Sequence, residues 1–508
     1  MTTHIKNAVK NSYFVLFLSA IGIAVGYALR IFLSKSLTIE DFGLFYSVSA
    51  FVGLFTIVRY IGLDRALVKF IPEFLIKREN NKIKSSVILV LIVQSITILT
   101  FTAFIFIFHD TISASLFRSD KAGIVLILMT LSFLPSMFFT VFQSVFQGYQ
   151  KLKTYAIVEP VRISLTFIFS LLFIRFGVMG VALAYISASI VTSIIFLFCF
   201  SKLGITNTKI NMSTDLTKKL FRFSIPVFMS SIALIIINYT DTLIITFFRT
   251  LEEVALYQVA LPTTQLLLVF SSAIAAVILP LTSHLYSNKR LTEIERGIRV
   301  ISVMLLFILL PFVILLYSFP EIVIQILFSR EFLPAVNTIK ILSISMIFYS
   351  FFVVFQTTLD GIGRPFINTK IMFAMALSNI IMNLLLVPVL GIMGSAIAFG
   401  ITFLIGMLAG WIYVRKYLNI SLAYSRMVKI FVASVISAAV TYLVKVWLNT
   451  SIYEEFVVAL AIGWFVFIVL VSISKSITID DIEFIESKSF HMPNTVKKMV
   501  KFIFRRRK

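Results

Sequence analysis

The stretch GVMGVALAY, from Gly177 to Tyr185, returns later in the chain as GIMGSAIAF, from Gly391 to Phe399, at an offset of 214 residues (391 − 177 = 214). A second stretch behaves in the same way. TIEDFGLFY (38–46) has a counterpart in TLEEVALYQ (250–258), at an offset of 212 residues (250 − 38 = 212). The two offsets are nearly equal, so the matches belong to one register rather than to two coincidences.

A fainter third pair keeps this register, because Gly148 of QGYQK aligns with Gly361 of DGIGR at an offset of 213 residues (361 − 148 = 213). Matches at a fixed period are the sequence signature of a duplicated architecture. The chain therefore contains a duplicated unit of roughly 213 residues, and each copy is predicted to form one half of a two-lobed protein.

The composition is that of an integral membrane protein. Apolar residues make up 59% of the chain, charged residues 13%, and the mean hydropathy is +1.02, whereas soluble domains are about 45–50% apolar and about 25% charged. The net charge of +22 comes from basic residues that cap apolar runs. No polar domain with interleaved aromatic residues exists, so nucleic acid is not an expected partner.

Runs of about 20 apolar residues are long enough to cross a hydrocarbon core of about 30 Å. Six such runs fall in the first copy, six fall at matching places in the second copy, and two more follow. We therefore predict an all-α integral membrane protein with 14 transmembrane helices. The predicted runs are 12–34, 42–62, 84–108, 122–147, 155–176, 179–201, 220–248, 255–283, 297–319, 334–359, 366–388, 393–414, 427–448 and 454–474.

Six crossings is an even number, so the second copy enters the membrane in the same orientation as the first, and a substrate path would lie between the two parallel lobes. The predicted domains are an N-lobe (1–201), a cytoplasmic linker (202–219), a C-lobe (220–416), two additional helices (426–474) and a basic cytoplasmic tail (475–508). Most Lys and Arg residues fall on one side of this arrangement. The positive-inside rule then places both termini in the cytoplasm. The expected location is the cytoplasmic (inner) membrane.

Two charged residues lie inside predicted spans near the outer surface. Arg30 is about a turn and a half from the outer end of the first span, and Asp241 is about two turns from the outer end of the seventh. The repeat register maps Asp241 onto position 29, next to Arg30. Ionisable groups in a membrane are costly unless they pair or face water, so we expect both to line the central cavity and to pair when its outer side closes. Separate snorkelling to the outer interface is the alternative.

Five further residues are candidates for the cavity. Glu159 and Arg162 stand three apart around Pro160, close enough to pair, although they would also suit a structural ion pair. Lys340 lies near an outer span end, where it could instead snorkel. Asn379 and Asn383 are mid-span, where hydrogen bonds between helices would also explain them. Basic residues within the spans and at their edges outnumber acidic ones, which favours an anionic cargo.

The sequence gives little support for a catalytic function. The chain has no Walker A lysine motif, no D-x-D pair and no metal-ligand spacing among its four histidines,. The predicted outer connections are short. No catalytic residue, metal or cofactor is therefore predicted, and a membrane glycosyltransferase or polymerase is disfavoured.

Several stretches carry a resemblance to a known superfamily. They are RIFLSKSLTIEDFGLF (30–45), GLDRALVKFIPEF (62–74), NYTDTLII around Asp241, and the two GxMGxAxA segments. To about residue 475, the chain resembles the multidrug/oligosaccharidyl-lipid/polysaccharide exporter superfamily, and within it the polysaccharide-biosynthesis flippases of the Wzx (O-antigen) type. The resemblance implies a MATE-like fold.

It also implies the cargo, a polyprenyl-linked oligosaccharide. The polyprenyl tail would stay in the bilayer while sugar and pyrophosphate cross by alternating access. Arg30 would contact the diphosphate or a charged sugar, and Asp241 would pair with it or sense a coupling ion, Na⁺ or H⁺. Membrane lipids and the polysaccharide assembly machinery are the further partners implied.

The drug and cation antiporters of the same superfamily are the main alternative. Their bacterial members resemble one another in carrying an acidic group on the first helix. Here the one charged residue within the first predicted span is Arg30. That difference favours an anionic cargo over a cationic drug.

Overall fold

The computed structural model describes residues 2–57, 62–205, 210, 212–448, 451–478 and 481. Within these ranges the secondary structure is helical, with no strand. This agrees with the all-α prediction. The predicted basic tail (475–508) lies mostly outside the described residues, as does part of the predicted linker.

Ten helices cover the first part of the chain and eight cover the rest of the described residues. The first ten are α1 (Thr2–Ser36), α2 (Ile39–Leu54), α3 (Leu63–Ile76), α4 (Asn80–Ile112), α5 (Ala122–Leu131), α6 (Phe133–Gly148), α7 (Leu152–Phe173), α8 (Gly177–Ser201), α9 (Thr214–Phe248) and α10 (Leu251–Gln265). The others are α11 (Leu268–Ser287), α12 (Leu291–Ser318), α13 (Pro320–Leu327), α14 (Val336–Gly361), α15 (Pro365–Leu390), α16 (Ile392–Leu418), α17 (Tyr424–Leu448) and α18 (Ile452–Ile473).

Twelve helical stretches among the described residues are long and apolar enough to cross a membrane. One of them, Leu152–Ser201, is 50 residues long and contains both α7 and α8. The predicted run 42–62 is not among the twelve, because α2 has only 16 residues and residues 58–61 are not described. A multi-pass helical membrane protein is thus confirmed, whereas the count of fourteen stays a prediction.

The predicted spans 122–147 and 255–283 are each divided into two helices, and each contains a proline near the break. Pro135 lies in the first turn of α6, just after α5 ends, and Pro262 lies in the last turn of α10, just before α11 begins. Proline has no N–H and its ring collides with the carbonyl four residues earlier, which kinks or ends a helix. The prolines account for the breaks that hydropathy alone does not reveal.

The duplicated stretch has the same geometry in both copies. Gly177 and Gly391 open α8 and α16 with nearly identical dihedral angles, φ 60° and ψ −141° against φ 59° and ψ −137°. Only glycine adopts this conformation readily. A Cβ on Gly180 would lie 1.9 Å from the carbonyl oxygen of Phe173, and one on Gly394 would lie 2.4 Å from that of Leu386. Each repeat therefore folds α7 onto α8, or α15 onto α16, by the same tight joint.

The second repeated stretch supplies matching helix caps. The side chain of Thr38 accepts a hydrogen bond from the backbone N–H of Asp41 at 3.2 Å, and that of Thr250 accepts one from Glu253 at 3.3 Å. Threonine at this position satisfies one of the free N–H groups at a helix start. The shared caps begin α2 and α10 at equivalent positions of the repeat.

The compact units do not follow the predicted lobe boundary. The chain divides into residues 1–258 and 259–508, so α9 and half of α10 belong to the first unit. Within that unit α9 packs closely on α2: the Thr246 hydroxyl donates to that of Ser47 at 3.0 Å, and a Cβ on Gly53 would lie 2.4 Å from the Tyr239 ring. The division into lobes 1–201 and 220–416 therefore stays a prediction.

Helix α3 is amphipathic. Its buried face is formed by residues at helical spacing, Leu63, Ala66, Leu67, Phe70, Ile71 and Phe74. On its polar side, Glu73 forms ion pairs with Lys77 at 3.1 Å and with Lys219 of α9 at 2.9 Å. These pairs join the short helix to the beginning of a long one.

Candidate functional site

Arg30 lies near the end of α1, where its guanidinium group contacts two other helices. The guanidinium carbon is 4.1 Å from the centroid of the Tyr46 ring on α2, within the range of a cation–π interaction,. Its Nη1 donates to Gln258 of α10, both to the side-chain oxygen at 3.0 Å and to the backbone carbonyl. The charge is therefore held inside the first compact unit.

The backbone carbonyl that Arg30 uses is made available by a proline. In an α-helix the carbonyl of Gln258 would accept a hydrogen bond from the N–H four residues later, but that residue is Pro262, which has none. An unsatisfied carbonyl in a membrane helix needs another donor. Arg30 supplies it.

The site is built from equivalent residues of the two repeats. At the offset of 212, Tyr46 corresponds to Gln258, and Arg30 corresponds to Thr242. Gln258 Nε2 donates to the Thr242 hydroxyl at 2.7 Å. The contact of Arg30 with Tyr46 and the contact of Thr242 with Gln258 thus join equivalent helices of the two repeats. The hydrogen bond from Arg30 to Gln258 connects the two contacts into one cluster.

The guanidinium group has unused hydrogen-bonding capacity. Among the residues that the structure describes, Arg30 makes no ion pair, and its Nε and Nη2 make no hydrogen bond. A charge within a span whose contacts are an aromatic face, a side-chain amide and a backbone carbonyl has no countercharge to compensate it. The arrangement is suited to an anionic group, which would accept from the free edge of the guanidinium.

Asp241 is buried on α9, with 2% of its surface exposed. The hydroxyl of Tyr257, itself fully buried, donates to Asp241 Oδ2 at 2.7 Å. Arg30 and Asp241 are thus bonded to consecutive residues of α10, Gln258 and Tyr257. The structure brings both into one site in the first unit, while their direct pairing stays a prediction.

Glu159 and Arg162 form the ion pair that their spacing predicts. Arg162 Nε is 3.1 Å from each carboxylate oxygen of Glu159, and Nη2 makes a further contact with Oε1. Both side chains are partly exposed, at 46% for Glu159 and 23% for Arg162.

Helix α7, which carries this pair, packs against α1 on both sides of Arg30. A Cβ on Gly26 would lie 3.8 Å from the side chain of Ile163, and the ring centroids of Phe32 and Phe167 are 5.8 Å apart. Four of the predicted site residues therefore lie in one region of the first unit: Arg30, Asp241, Glu159 and Arg162.

The other three predicted residues lie in the second unit. Lys340 Nζ is 3.9 Å from Glu321 Oε1, and Lys445 Nζ is 3.8 Å from Glu321 Oε2, so this lysine belongs to a small ionic cluster. On α15 the amide of Asn383 donates to the backbone of Asn379 at 2.9 Å and accepts from Ser395 of α16 at 2.8 Å. The bond with Ser395 fits the alternative of hydrogen bonds between helices.

Sequence reasoning missed the residues that hold Arg30 and Asp241. Tyr46, Tyr257 and Gln258 are ordinary in an apolar context, and Gln258 is 228 residues from Arg30. The repeat register pairs Tyr46 with Gln258 and so marks them as equivalent positions. It does not indicate that both of them contact the Arg30 side chain.

Comparison with known proteins identifies the family of this chain. The model of the family described as "Polysaccharide biosynthesis protein" matches residues 8–286, and the MatE model matches residues 226–385. Membrane protein MJ1068 of Methanocaldococcus jannaschii is 32% identical over 415 residues, which cover 78% of this chain and 80% of that one. The probable low-salt glycan biosynthesis flippase Agl15 of Haloferax volcanii is 25% identical, covering 86% of this chain and 89% of that one.

Among solved structures, the lipid II flippase MurJ in an inward closed conformation aligns with a TM-score of 0.75 and 17% identity, over 90% of this chain and 98% of that one. An identity this low shows the fold alone. The family models and the named relatives indicate a transporter rather than a catalytic enzyme. The chain belongs to the polysaccharide biosynthesis protein family, within the multidrug/oligosaccharidyl-lipid/polysaccharide exporter superfamily.

Proposed function

We propose that this protein is a flippase that carries a polyprenyl-diphosphate-linked oligosaccharide across the cytoplasmic membrane by alternating access. The observation that carries the proposal is the half-buried guanidinium group of Arg30, which has no carboxylate partner among the described residues. A diphosphate is the group of such a substrate that would complete it, since guanidinium and phosphate form strong paired hydrogen bonds.

The sugar part of the substrate explains why a protein is needed. Moving one hydroxyl group into hydrocarbon without a partner costs about 4–8 kcal/mol, and an oligosaccharide has many. A sheltered polar path removes that cost while the lipid tail remains in the bilayer. The relative named as a glycan biosynthesis flippase supports this class of cargo.

The finer architecture is part of the same proposal. We infer fourteen crossings, counting α7 and α8 separately and adding one crossing that begins with α2. Both termini then lie in the cytoplasm by the positive-inside rule. Coupling to Na⁺ or H⁺ is proposed at Asp241, whose buried carboxylate is the acidic group beside the Arg30 site. The polysaccharide assembly machinery is the proposed partner on the outer side.

The experiment is a complementation assay in cells that lack the protein, with the sidedness of lipid-linked glycan as the readout. The wild-type chain should restore export. Arg30→Glu should leave the glycan on the cytoplasmic face, because it repels the diphosphate. Arg30→Lys should transport at least about tenfold more slowly, since lysine offers a point charge rather than a planar fork. Arg175→Glu is the matched control, because Arg175 is exposed and should tolerate the same change.

A drug or cation antiporter is the second candidate, favoured by the match of the MatE model to residues 226–385. In the same cells, unchanged glycan sidedness together with altered drug tolerance would support the antiporter and reject the flippase. An active Arg30→Glu variant would remove this residue from the substrate site.

A further inference from the structure

A polar stripe runs along one face of α6. Thr140, Gln143, Ser144 and Gln147 are spaced at i, i+3, i+4 and i+7, which places them on one side of a helix,. This helix belongs to one of the twelve stretches that can cross a membrane. Polar residues in such a helix normally face a water-filled space or a polar partner.

The stripe faces a cavity in the first compact unit. The cavity has a volume of about 280 Å³, and all four stripe residues line it. Asp64 and Arg65 of α3 line its opposite side. It contains none of the residues that bind to Arg30 or Asp241, so it is a separate feature of the same unit.

Polar side chains of the cavity lining have hydrogen-bonding capacity that the described residues leave unused. The side chains of Gln147 and Arg65 make no hydrogen bond with any residue that the structure describes. Gln143 donates to the backbone carbonyl of Tyr155 at 3.3 Å, which leaves its side-chain oxygen as an acceptor. Ser144 donates to its own helix at 3.2 Å, so its oxygen also remains an acceptor. The cavity lining therefore offers both hydrogen-bond donors and acceptors. A ligand that itself carries both kinds of group would match it.

Charge narrows the class of ligand. Asp64 and Arg65 carry opposite charges, and the other polar residues of the described lining are uncharged. An anion would meet the Asp64 carboxylate and a cation would meet the Arg65 guanidinium, so neither is favoured. Val68 and Phe228 supply apolar walls. A neutral ring with hydroxyl groups at its edges and C–H groups on its faces matches this combination.

The volume of the cavity restricts the class of ligand further. Pockets for small molecules are about 300–1,000 Å³, so a cavity of about 280 Å³ fits one sugar ring rather than a whole oligosaccharide. Its position also suits a long substrate. Ile57, which lines the cavity, lies three residues beyond the end of α2, the helix that carries Tyr46.

We propose that this cavity, which we call the sugar cavity, binds one uncharged sugar ring of the glycan while the diphosphate lies at Arg30. The proposal rests on the flippase function. It adds a site that recognises the cargo by hydroxyl groups and not by charge, so that the glycan is selected as well as carried.

Binding is tested on the purified full-length protein in nanodiscs by saturation-transfer NMR. The probes are the methyl glycosides of glucose, galactose, mannose and N-acetylglucosamine. At least one should receive saturation from the wild-type protein and lose most of it with Gln143→Leu/Gln147→Leu. Gln325→Leu, in the second unit and outside the cavity, is the matched control and should keep the signal. No saturation of any probe, or equal saturation with the double variant, overturns the proposal.

Transport separates this proposal from the flippase itself. In proteoliposomes the double variant should raise the KM for a polyprenyl-diphosphate oligosaccharide about tenfold, as expected for two lost hydrogen bonds. It should leave flipping of the bare polyprenyl diphosphate unchanged. An unchanged KM for the glycan-bearing lipid rejects the sugar cavity while the flippase stands. Glycoside binding that depends on Gln147, in a protein that flips neither lipid, supports the cavity and rejects the flippase.

Discussion

Individual side chains at the Arg30 site are held by neutral partners. Tyr46 offers a ring face and Gln258 an amide, and neither cancels the charge of the guanidinium group. Asp241, by contrast, receives a hydrogen bond from the buried hydroxyl of Tyr257. One charge is therefore left open to a ligand while the other is stabilised by the protein itself.

The Tyr257 hydroxyl should make a measurable contribution to stability. We expect Tyr257→Phe to lower the free energy of unfolding by about 1.5–3 kcal/mol, the usual value of a hydrogen bond to a charged group. Denaturant unfolding in detergent micelles measures it. Tyr442→Phe, at a position that is 62% exposed, is the control and should change little. Equal stability of the Tyr257 variant and the wild type would show that the carboxylate does not depend on this donor.

At the scale of single elements, helix α10 shows how a break in regular structure can be used for binding. Pro262 leaves the carbonyl of Gln258 without its intrahelical donor, and Arg30 donates to that carbonyl instead,. The proline weakens the helix but supplies an acceptor where the site needs one. Stability and function should therefore respond in opposite directions to its removal.

Pro262→Ala restores the missing N–H, which competes with Arg30 for the carbonyl. We expect the melting temperature to rise, since proline in a helix interior costs about 3 kcal/mol, while the transport rate falls. Thermal unfolding and flipping assays on the same preparation measure the two effects. Pro311→Ala in α12 is the control and should raise stability without slowing transport. A Pro262 variant that transports at the wild-type rate would contradict the role assigned to the carbonyl.

The two repeated joints should be equally intolerant of a side chain. Gly177→Ala and Gly391→Ala force an L-residue into a conformation that only glycine adopts readily, at a cost of about 1–3 kcal/mol each. Gly22→Ala is the control, because a Cβ there would meet Pro160 at an ordinary 3.7 Å. Unfolding of the three variants, compared side by side, tests this. Different costs at the two joints would mean that the repeats are not equivalent in energy.

The link between α3 and α9 should depend on pH. Hydrogen bonds from Lys219, and then from Lys77, hold the pKa of Glu73 below its usual value. A carboxylate with a lowered pKa stabilises the fold above its unfolded pKa of about 4.5, and this stability is lost as the pH falls through the lowered value. The stability difference between wild type and Glu73→Gln should therefore be largest near neutral pH and disappear in acid. A difference that is constant with pH would contradict the ion pair.

At the scale of the whole molecule, the sequence was sufficient to predict the membrane class, the family and the duplication. Hydropathy located the long helices because apolar length is a local property. It did not locate the breaks at Ser132 and between α10 and α11, because a single proline interrupts the helix at each break while the sequence remains apolar. It also did not show that α9 packs with the first unit, since Gly53, which allows close contact between α2 and α9, has no local signature.

The candidate site was predicted in part. Arg30 and Asp241 stood out because charges are rare in spans, and Glu159 with Arg162 because they are neighbours on one helix. One partner of Arg30, Gln258, lies 228 positions away, which no local pattern reveals. The sugar cavity was missed for another reason. The polar spacing of Thr140, Gln143, Ser144 and Gln147 is visible in the sequence, but its meaning depends on the face that α3 presents to it.

The most direct test of the account is flipping in proteoliposomes that contain the purified protein and a fluorescent polyprenyl-diphosphate oligosaccharide. Accessibility of the glycan to an added enzyme reports the side on which it lies. The account predicts transfer well above that of protein-free liposomes, and at least about tenfold slower transfer with Arg30→Gln, which removes a charge-assisted contact to the diphosphate. Transfer no faster than in protein-free liposomes, or equal transfer by wild type and Arg30→Gln, would contradict it.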